Sequence, residues 1–144
     1  MKSDILVIHG SNLNILGKRE CDIYGTKTLI EINTELVSLA NDFGLALECY
    51  QSNIEGEIIN KIHSNCDTKC IIINAGAFTH TSIAIRDALL SNAALFYEVH
   101  ISNIYAREHF RHNSFLSDIA QGVICGCGTF GYILALRAAV EYLS

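Results

Sequence analysis

Proline is absent from all 144 residues. Glycine and asparagine must therefore carry the chain reversals. Long apolar runs are also lacking. None approaches the roughly 20 residues that a membrane-spanning helix needs, so no membrane partner is expected. A secretory leader is not expected either, because the single Lys2 is followed by Asp4 and a short strand-like run from Ile5 to Ile8. A cytoplasmic location follows as an expectation. Basic charge is scarce, with 10 Lys and Arg against 15 Asp and Glu and a net charge of -5, which argues against nucleic acid as a partner. The six cysteines (Cys21, Cys49, Cys66, Cys70, Cys125 and Cys127) contain no C-x2-C pair. In the absence of a leader they read as reduced and mostly buried. Cys66-x3-Cys70 and Cys125-x-Cys127 leave a zinc reading open, but neither has the spacing of a structural zinc site.

What is present suits one domain over residues 1–144, because half the residues are hydrophobic and the length fits a single core. Apolar spacing and turn residues set the order of elements. Ile5 to Ile8 reads as a buried strand ending at Gly10, and Ser11 to Thr28 as a long loop. Thr28 to Asn41 is helical, with Thr28 and Glu31 spaced as a capping box. Leu45 to Tyr50 is a second strand. Ser52 and Glu55 form a second capping box, opening a helix from Ile54 to Ser64. Cys70 to Asn74 is a strand, Ala75 to Thr81 a loop, and Ser82 to Ser91 a short helix. Ala94 to Ile101 is a fourth strand, Asn103 to Ser117 a polar loop, Gln121 to Cys125 a fifth strand and Thr129 to Leu143 a final helix. Strand and helix alternate, and several strands are apolar without alternation, which points to a parallel sheet covered on both faces. The fold expected is α/β: a flavodoxin-like three-layer fold with a five-stranded parallel sheet.

In such sheets ligands bind beyond the carboxyl ends of the strands, where the unusual residues gather. Strand one leads into His9-Gly10-Ser11-Asn12, strand three into Asn74-Ala75-Gly76-Ala77-Phe78-Thr79-His80, and strand four into Glu98-Val99-His100-Ile101-Ser102. Residues two apart on a strand share a face, so Glu98, His100 and Ser102 line up. A carboxylate beside an imidazole orients it and raises its proton affinity, as a general acid requires. The plainer reading is a hydrogen-bonded strand end. The loop from Leu16 to Gly25 is either a solvated loop or a lid carrying Arg19 and Tyr24 over the pocket. A tyrosine acts as a base only as phenolate, and ionising an ordinary one at pH 7 costs about 4 kcal/mol. A close guanidinium recovers a similar amount. Arg107 and Arg111 are a solvated basic patch or a carboxylate clamp. Asp87, alone, is an ordinary exposed charge, and His9 and His63 suggest no function. Gly126-Cys127-Gly128-Thr129-Phe130-Gly131 matches G-x-G-x-x-G, but no strand with an acidic residue follows it, so these glycines read as turn and close-packing residues.

Taken together, Gly10-Ser11-Asn12-Leu13-Asn14, Arg19 with Ile23-Tyr24-Gly25, Gln51-Ser52-Asn53 with Glu55-Gly56-Glu57, Asn74 to Ser82, Arg86-Asp87-Ala88 and Glu98 to Asn103 resemble the type II 3-dehydroquinate dehydratase family over nearly the whole chain. Ala106-Arg107-Glu108, Phe110-Arg111 and Gly131-Tyr132 extend the resemblance. It departs where Ser11 and Ala75 replace the family's usual prolines and Phe78 a commoner tyrosine. The resemblance implies conversion of 3-dehydroquinate to 3-dehydroshikimate through an enolate, with no cofactor and no metal, on the shikimate route to chorismate and aromatic amino acids. By resemblance, Tyr24 is the base and Arg19 the lid arginine favouring its phenolate. Asn12 holds a water that stabilises the enolate, and His100 is the acid, oriented by Glu98. Asn74, His80, Ile101, Ser102 and Arg111 bind the substrate's hydroxyls and carboxylate. Asp87 reaches a neighbouring subunit's site in a homododecamer, a tetramer of trimers.

Two other classes remain open on the residues alone. A flavodoxin-like module binding a phosphate or nucleotide would use the Gly-rich loops, although no P-loop lysine motif is present. A non-catalytic interaction domain would have no need of Tyr24 or His100. A lysine Schiff base has no candidate in the polar cluster.

Overall fold

The structure is a computed structural model describing residues 2–144. Met1, which the single-domain expectation includes, lies outside the described residues. Five parallel strands form one sheet: β1 (Ile5–His9), β2 (Leu47–Gln51), β3 (Cys70–Asn74), β4 (Leu95–His100) and β5 (Gly122–Cys125). Their order across the sheet is β2-β1-β3-β4-β5. In register, Val7 pairs with Cys49 and Ile72, and Val99 with Ile124. Every residue of β1 and β3 is buried, because both sheet faces are covered by helices. Such strands have no solvent side to keep polar, which is why their sequences run apolar without alternation.

The helices are α1 (Cys21–Tyr24), α2 (Leu29–Asp42), α3 (Glu55–Ser64), α4 (Ile83–Ser91) and α5 (Phe130–Leu143). On one face, Ile32, Leu36 and Ala40 of α2 and Tyr132, Ala135, Leu136 and Ala139 of α5 pack against Ile5, Val7, Ile72 and Val99. On the other, Ile58 and Ile62 of α3 and Ile85, Ala88 and Leu89 of α4 pack against Leu6, Ile8, Ile71 and Ile73. The helical apolar spacing therefore becomes two cores separated by the sheet.

The Thr28–Glu31 capping box forms in full: the Thr28 hydroxyl accepts from the Glu31 N–H, and the Glu31 carboxylate accepts from the Thr28 N–H. The second box does not. Ile54 is the residue preceding α3 and no side chain caps that helix. Instead, Ser52 Oγ accepts from the Ile54 N–H and donates to Glu57, at 2.9 and 2.5 Å. The helix starts two residues later than the spacing implied, so Glu55 falls at the first helical position, where it cannot reach back. The two long loops also contain structure. Leu13–Ile15 is a 3-10 turn ahead of α1. Ile104–Ala106 and His109–Arg111 are 3-10 turns in the later loop. Gly76–His80 is another, after β3.

From β1 the chain steps to β2 on one side and then crosses back to β3 on the other, so the order of winding switches between β1 and β3. The crevice beyond their carboxyl ends is the place where α/β sheets bind ligands. Gly10 lets it form: a Cβ there would lie 2.0 Å from the Ala75 carbonyl oxygen. No helix among the described residues is long and apolar enough to cross a membrane.

Candidate active site

At that crevice lies a cavity of about 140 Å³. Its wall takes Asn12 from the loop after β1, Asn74 from the end of β3, His80 from the following turn, and His100, Ile101 and Ser102 from β4 and beyond. Arg19 and Tyr24 reach it from the lid loop, and Arg107 and Arg111 from the loop after β4. Ten of the expected site residues thus line or back one cavity; Glu98 backs it through His100. Asp87 does not. It is exposed on α4 and absent from the cavity wall.

The floor is buried and polar. Glu98 is 0% exposed and His100 4%, and the carboxylate Oε2 meets His100 Nε2. The same carboxylate accepts from Thr79 Oγ1 at 3.1 Å, Ser114 Oγ at 2.8 Å and Ser117 Oγ at 2.7 Å. Burial pushes the Glu98 carboxyl up, but the His100 contact and the serine hydroxyls outweigh it and hold the group below its ordinary value. An ionised carboxylate at this depth needs such partners. It gives His100 a fixed orientation, with the other ring nitrogen left for the cavity. His80 stacks near it, with ring centroids 6.4 Å apart, and Nδ1 donates to the Asn113 carbonyl at 2.8 Å. Burial, and to a lesser degree the neighbouring His100 and Arg111, pushes the His80 imidazole down.

The lid side is built differently. Tyr24 closes α1, a single turn entered from Glu20, whose φ of 38° lies in the left-handed region. Gly25, at φ 81°, ends the turn. The Arg19 guanidinium lies over the Tyr24 ring, 4.6 Å from its centroid, while its Nη2 donates to Glu20 at 2.8 Å. The Tyr24 hydroxyl is held by a different arginine. Arg107 Nη1 donates to it at 2.8 Å and to Ser102 Oγ at 3.1 Å. Arg111 is paired with Glu108 through Nε at 3.0 Å and Nη2 at 3.3 Å, and that pairing pushes the guanidinium up.

Arg107 is the residue that spacing alone did not place. A four-residue offset puts two side chains on one face only in a helix, and here the segment forms separate 3-10 turns, Ile104–Ala106 and His109–Arg111. Both side chains enter the cavity through loop geometry, not helix periodicity. Thr79, Ser114 and Ser117 were equally silent, because serines and threonines in polar loops carry no periodic signal. Asn12 occupies the left-handed region at φ 69°, and its N–H donates to Asn53 Oδ1 at 2.8 Å; asparagine tolerates that conformation. The Gly126–Gly131 run joins β5 to α5. A Cβ at Gly126 would come 3.1 Å from Asn103 Cβ, and one at Gly131 3.4 Å from Val99 and Ile124, which agrees with close packing. Among the described residues, no group of three or more His, Cys, Asp or Glu is placed to hold a metal. Burial pushes the Cys49 and Cys70 thiols up to about 12, so neither is a ready nucleophile.

Comparison with known proteins places this arrangement among relatives. A family profile described as "Dehydroquinase class II" matches residues 3–140. A protein of Bordetella avium (strain 197N) named 3-dehydroquinate dehydratase is 55% identical over 144 residues, covering 99% of this chain and 100% of the relative. One of the same name from Aeromonas hydrophila is 57% identical over 143 residues, 99% of this chain and 96% of the relative. The crystal structure of type II dehydroquinase from Butyrivibrio crossotus DSM 2876 superposes with a TM-score of 0.92 at 44% identity, covering 97% of this chain and 98% of that one.

Proposed function

The chain belongs to the class II dehydroquinase family, and we propose that Tyr24 and His100 are the base and acid with which it dehydrates 3-dehydroquinate. The enzyme is a hydro-lyase acting on a small molecule, and its product is 3-dehydroshikimate. The observation carrying the residue assignment is that a tyrosine hydroxyl held by a guanidinium and a histidine held by a buried carboxylate face one cavity.

The chemistry runs as follows. The Tyr24 phenolate takes a proton from the carbon beside the ketone, and the electrons of that C–H bond form an enolate. A water held by Asn12 stabilises the enolate oxygen. When the enolate collapses, the adjacent C–O bond breaks, His100 supplies a proton to the departing hydroxyl, and water leaves as the enone forms. Ionising an ordinary tyrosine at pH 7 costs about 4 kcal/mol, and a guanidinium beside a phenolate oxygen favours the charged form. Arg107 supplies this charge at the hydroxyl and Arg19 supplies it across the ring face. Asn74, His80, Ile101, Ser102 and Arg111 bind the substrate's hydroxyls and carboxylate. The test is direct: purified protein is mixed with 3-dehydroquinate and enone absorbance is followed. Steady growth of the enone supports this reading, and none over hours at high enzyme concentration defeats it.

Residues 1–144 act as one catalytic domain in a homododecamer, a tetramer of trimers, on the shikimate route. Support for assembly comes from α4, where Asp87 is exposed between Ile83 and Leu90, themselves 56% and 58% exposed. Asp87 then serves a neighbouring subunit's cavity. Six free cysteines suit the reducing cytoplasm. Light scattering showing a fully active monomer would refute both the assembly and the cross-subunit role.

A further inference from the structure

Behind the cavity floor lies a buried titratable group that the reaction does not use. His9, the last residue of β1, is 0% exposed. Its Nδ1 is 2.9 Å from the Tyr132 hydroxyl and its Nε2 2.8 Å from Asn33 Oδ1. The Tyr132 oxygen also accepts from Asn74 Nδ2 at 2.9 Å. Asn74 Oδ1 accepts from the Gly76 backbone N–H at 3.1 Å. A hydrogen-bonded chain therefore runs Gly76, Asn74, Tyr132, His9, Asn33, from the cavity wall through the core to α2.

Only one direction satisfies every member. A backbone N–H can only donate, so Asn74 must turn its oxygen to Gly76 and its NH2 to Tyr132. The Tyr132 oxygen is then the acceptor, and its proton goes to His9 Nδ1. Nδ1 is thereby an unprotonated nitrogen, and Nε2 carries the hydrogen given to Asn33. In the reverse direction the NH2 of the buried Asn74 would face the Gly76 N–H, leaving two donors opposed.

We infer that His9 and Tyr132 are positioning residues for substrate recognition, fixing the orientation of the Asn74 amide and so which of its atoms meets the substrate. The inference rests on the reading of Asn74 as a substrate-binding residue. One N–H and one lone pair of Asn74 are committed to the protein, so the second N–H and the second lone pair remain for a ligand in fixed directions. Burial keeps this arrangement in its neutral form: the His9 imidazole is pushed down to about 4, and the Tyr132 phenol is pushed up. A protonated His9 would point Nδ1–H at an oxygen already accepting from Asn74, leaving the phenol proton without a partner.

The experiment measures kcat and KM for 3-dehydroquinate in Tyr132→Phe, His9→Leu and His9→Asn, and repeats Tyr132→Phe in an Asn74→Ala background. Loss of one orienting hydrogen bond should raise KM about tenfold in Tyr132→Phe and His9→Leu, with kcat changed much less. His9→Asn keeps an amide oxygen near the Nδ1 position and should restore KM most of the way. In Asn74→Ala, adding Tyr132→Phe should cost nothing further. A wild-type KM in Asn74→Ala would defeat the reading of Asn74, and the inference with it. A raised KM in Asn74→Ala alongside a wild-type KM in Tyr132→Phe would overturn the inference alone, as would an equal added loss in both backgrounds. Ring-nitrogen NMR on the unmodified protein covers the case in which a variant fails to fold. A neutral His9 with hydrogen on Nε2 at pH 6 is expected, and a charged ring or an Nδ1–H tautomer overturns the inference.

Discussion

Tyr24 and His100 face the same cavity from supports of opposite kinds. His100 ends a central strand, 4% exposed, and its carboxylate partner is held by three hydroxyls from two other segments. Tyr24 ends a single exposed helical turn and is held mainly by arginines. The floor is fixed by packing and by the cost of leaving buried polar groups unpaired. The lid turn is held near the surface by charge, with Tyr24 packed only on the margin of the core. Under the proposed assignment, a reaction needing both a rigid proton donor and access for its substrate is served by this division. It also predicts that lid and floor variants fail differently.

The largest effect is expected at the lid. Tyr24→Phe should lower kcat about a thousandfold or more, at the strong end of general-base losses, with melting temperature and substrate binding retained. A melting temperature that falls along with activity would show that the lid is structurally coupled to the core, and wild-type turnover would remove Tyr24 as base. At the floor, His100→Ala should lower kcat about a hundredfold and also destabilise the fold, because the Glu98 carboxylate is left buried without its partner. Glu98→Gln should slow turnover less, since it removes orientation and not the transferred proton. Turnover of His100→Ala equal to wild type across pH would erase the distinction between acid and positioning group.

The contrast also has a pH signature. His9 is held near 4 against an ordinary value of 6.5. A group whose native value is depressed binds its proton more readily when unfolded, so its contribution to stability is full above about 6.5 and declines as pH falls toward 4. Urea unfolding at pH 7 and at pH 4.5 should show wild type losing about 2 kcal/mol more than His9→Asn over that interval. The depressed Glu98 carboxyl acts in a lower window, below its ordinary value of 4.5, so the two are separable. Equal losses in wild type and His9→Asn would mean that His9 titrates freely. The smallest effect is expected at Ser117→Ala, which removes one of three hydroxyls from Glu98. It should cost about 1 kcal/mol of stability and slow turnover only slightly, whereas Asp22→Ala on the exposed lid turn should leave stability unchanged.

Much of this was legible from residue order. Ile5 to Ile8 and Cys70 to Asn74 had to be interior strands, because no water-facing alternation was present. Thr28 with Glu31 marked a helix start that forms as expected, while Ser52 with Glu55 did not, since a capping box depends on where the chain turns as well as on which residues stand three apart. The strand ends with Asn12, Asn74, His80 and Glu98-x-His100 pointed to one crevice, because parallel strands deliver their carboxyl ends to a common edge. Arg107 was visible as a charge but not as the partner of Tyr24, 83 residues away.

The sequence by itself determined the alternation of strands and helices, the burial of both sheet faces and the chemical kinds of group brought to the crevice. These follow from short-range spacing and side-chain type, which act within a few residues. Tertiary structure alone decided which arginine holds the tyrosine, which hydroxyls surround Glu98, and that His9 joins Tyr132 across 123 positions to orient Asn74. Hydrogen bonds between distant segments depend on where loops and helices meet after packing, and a loop residue carries no periodicity that would announce its partner.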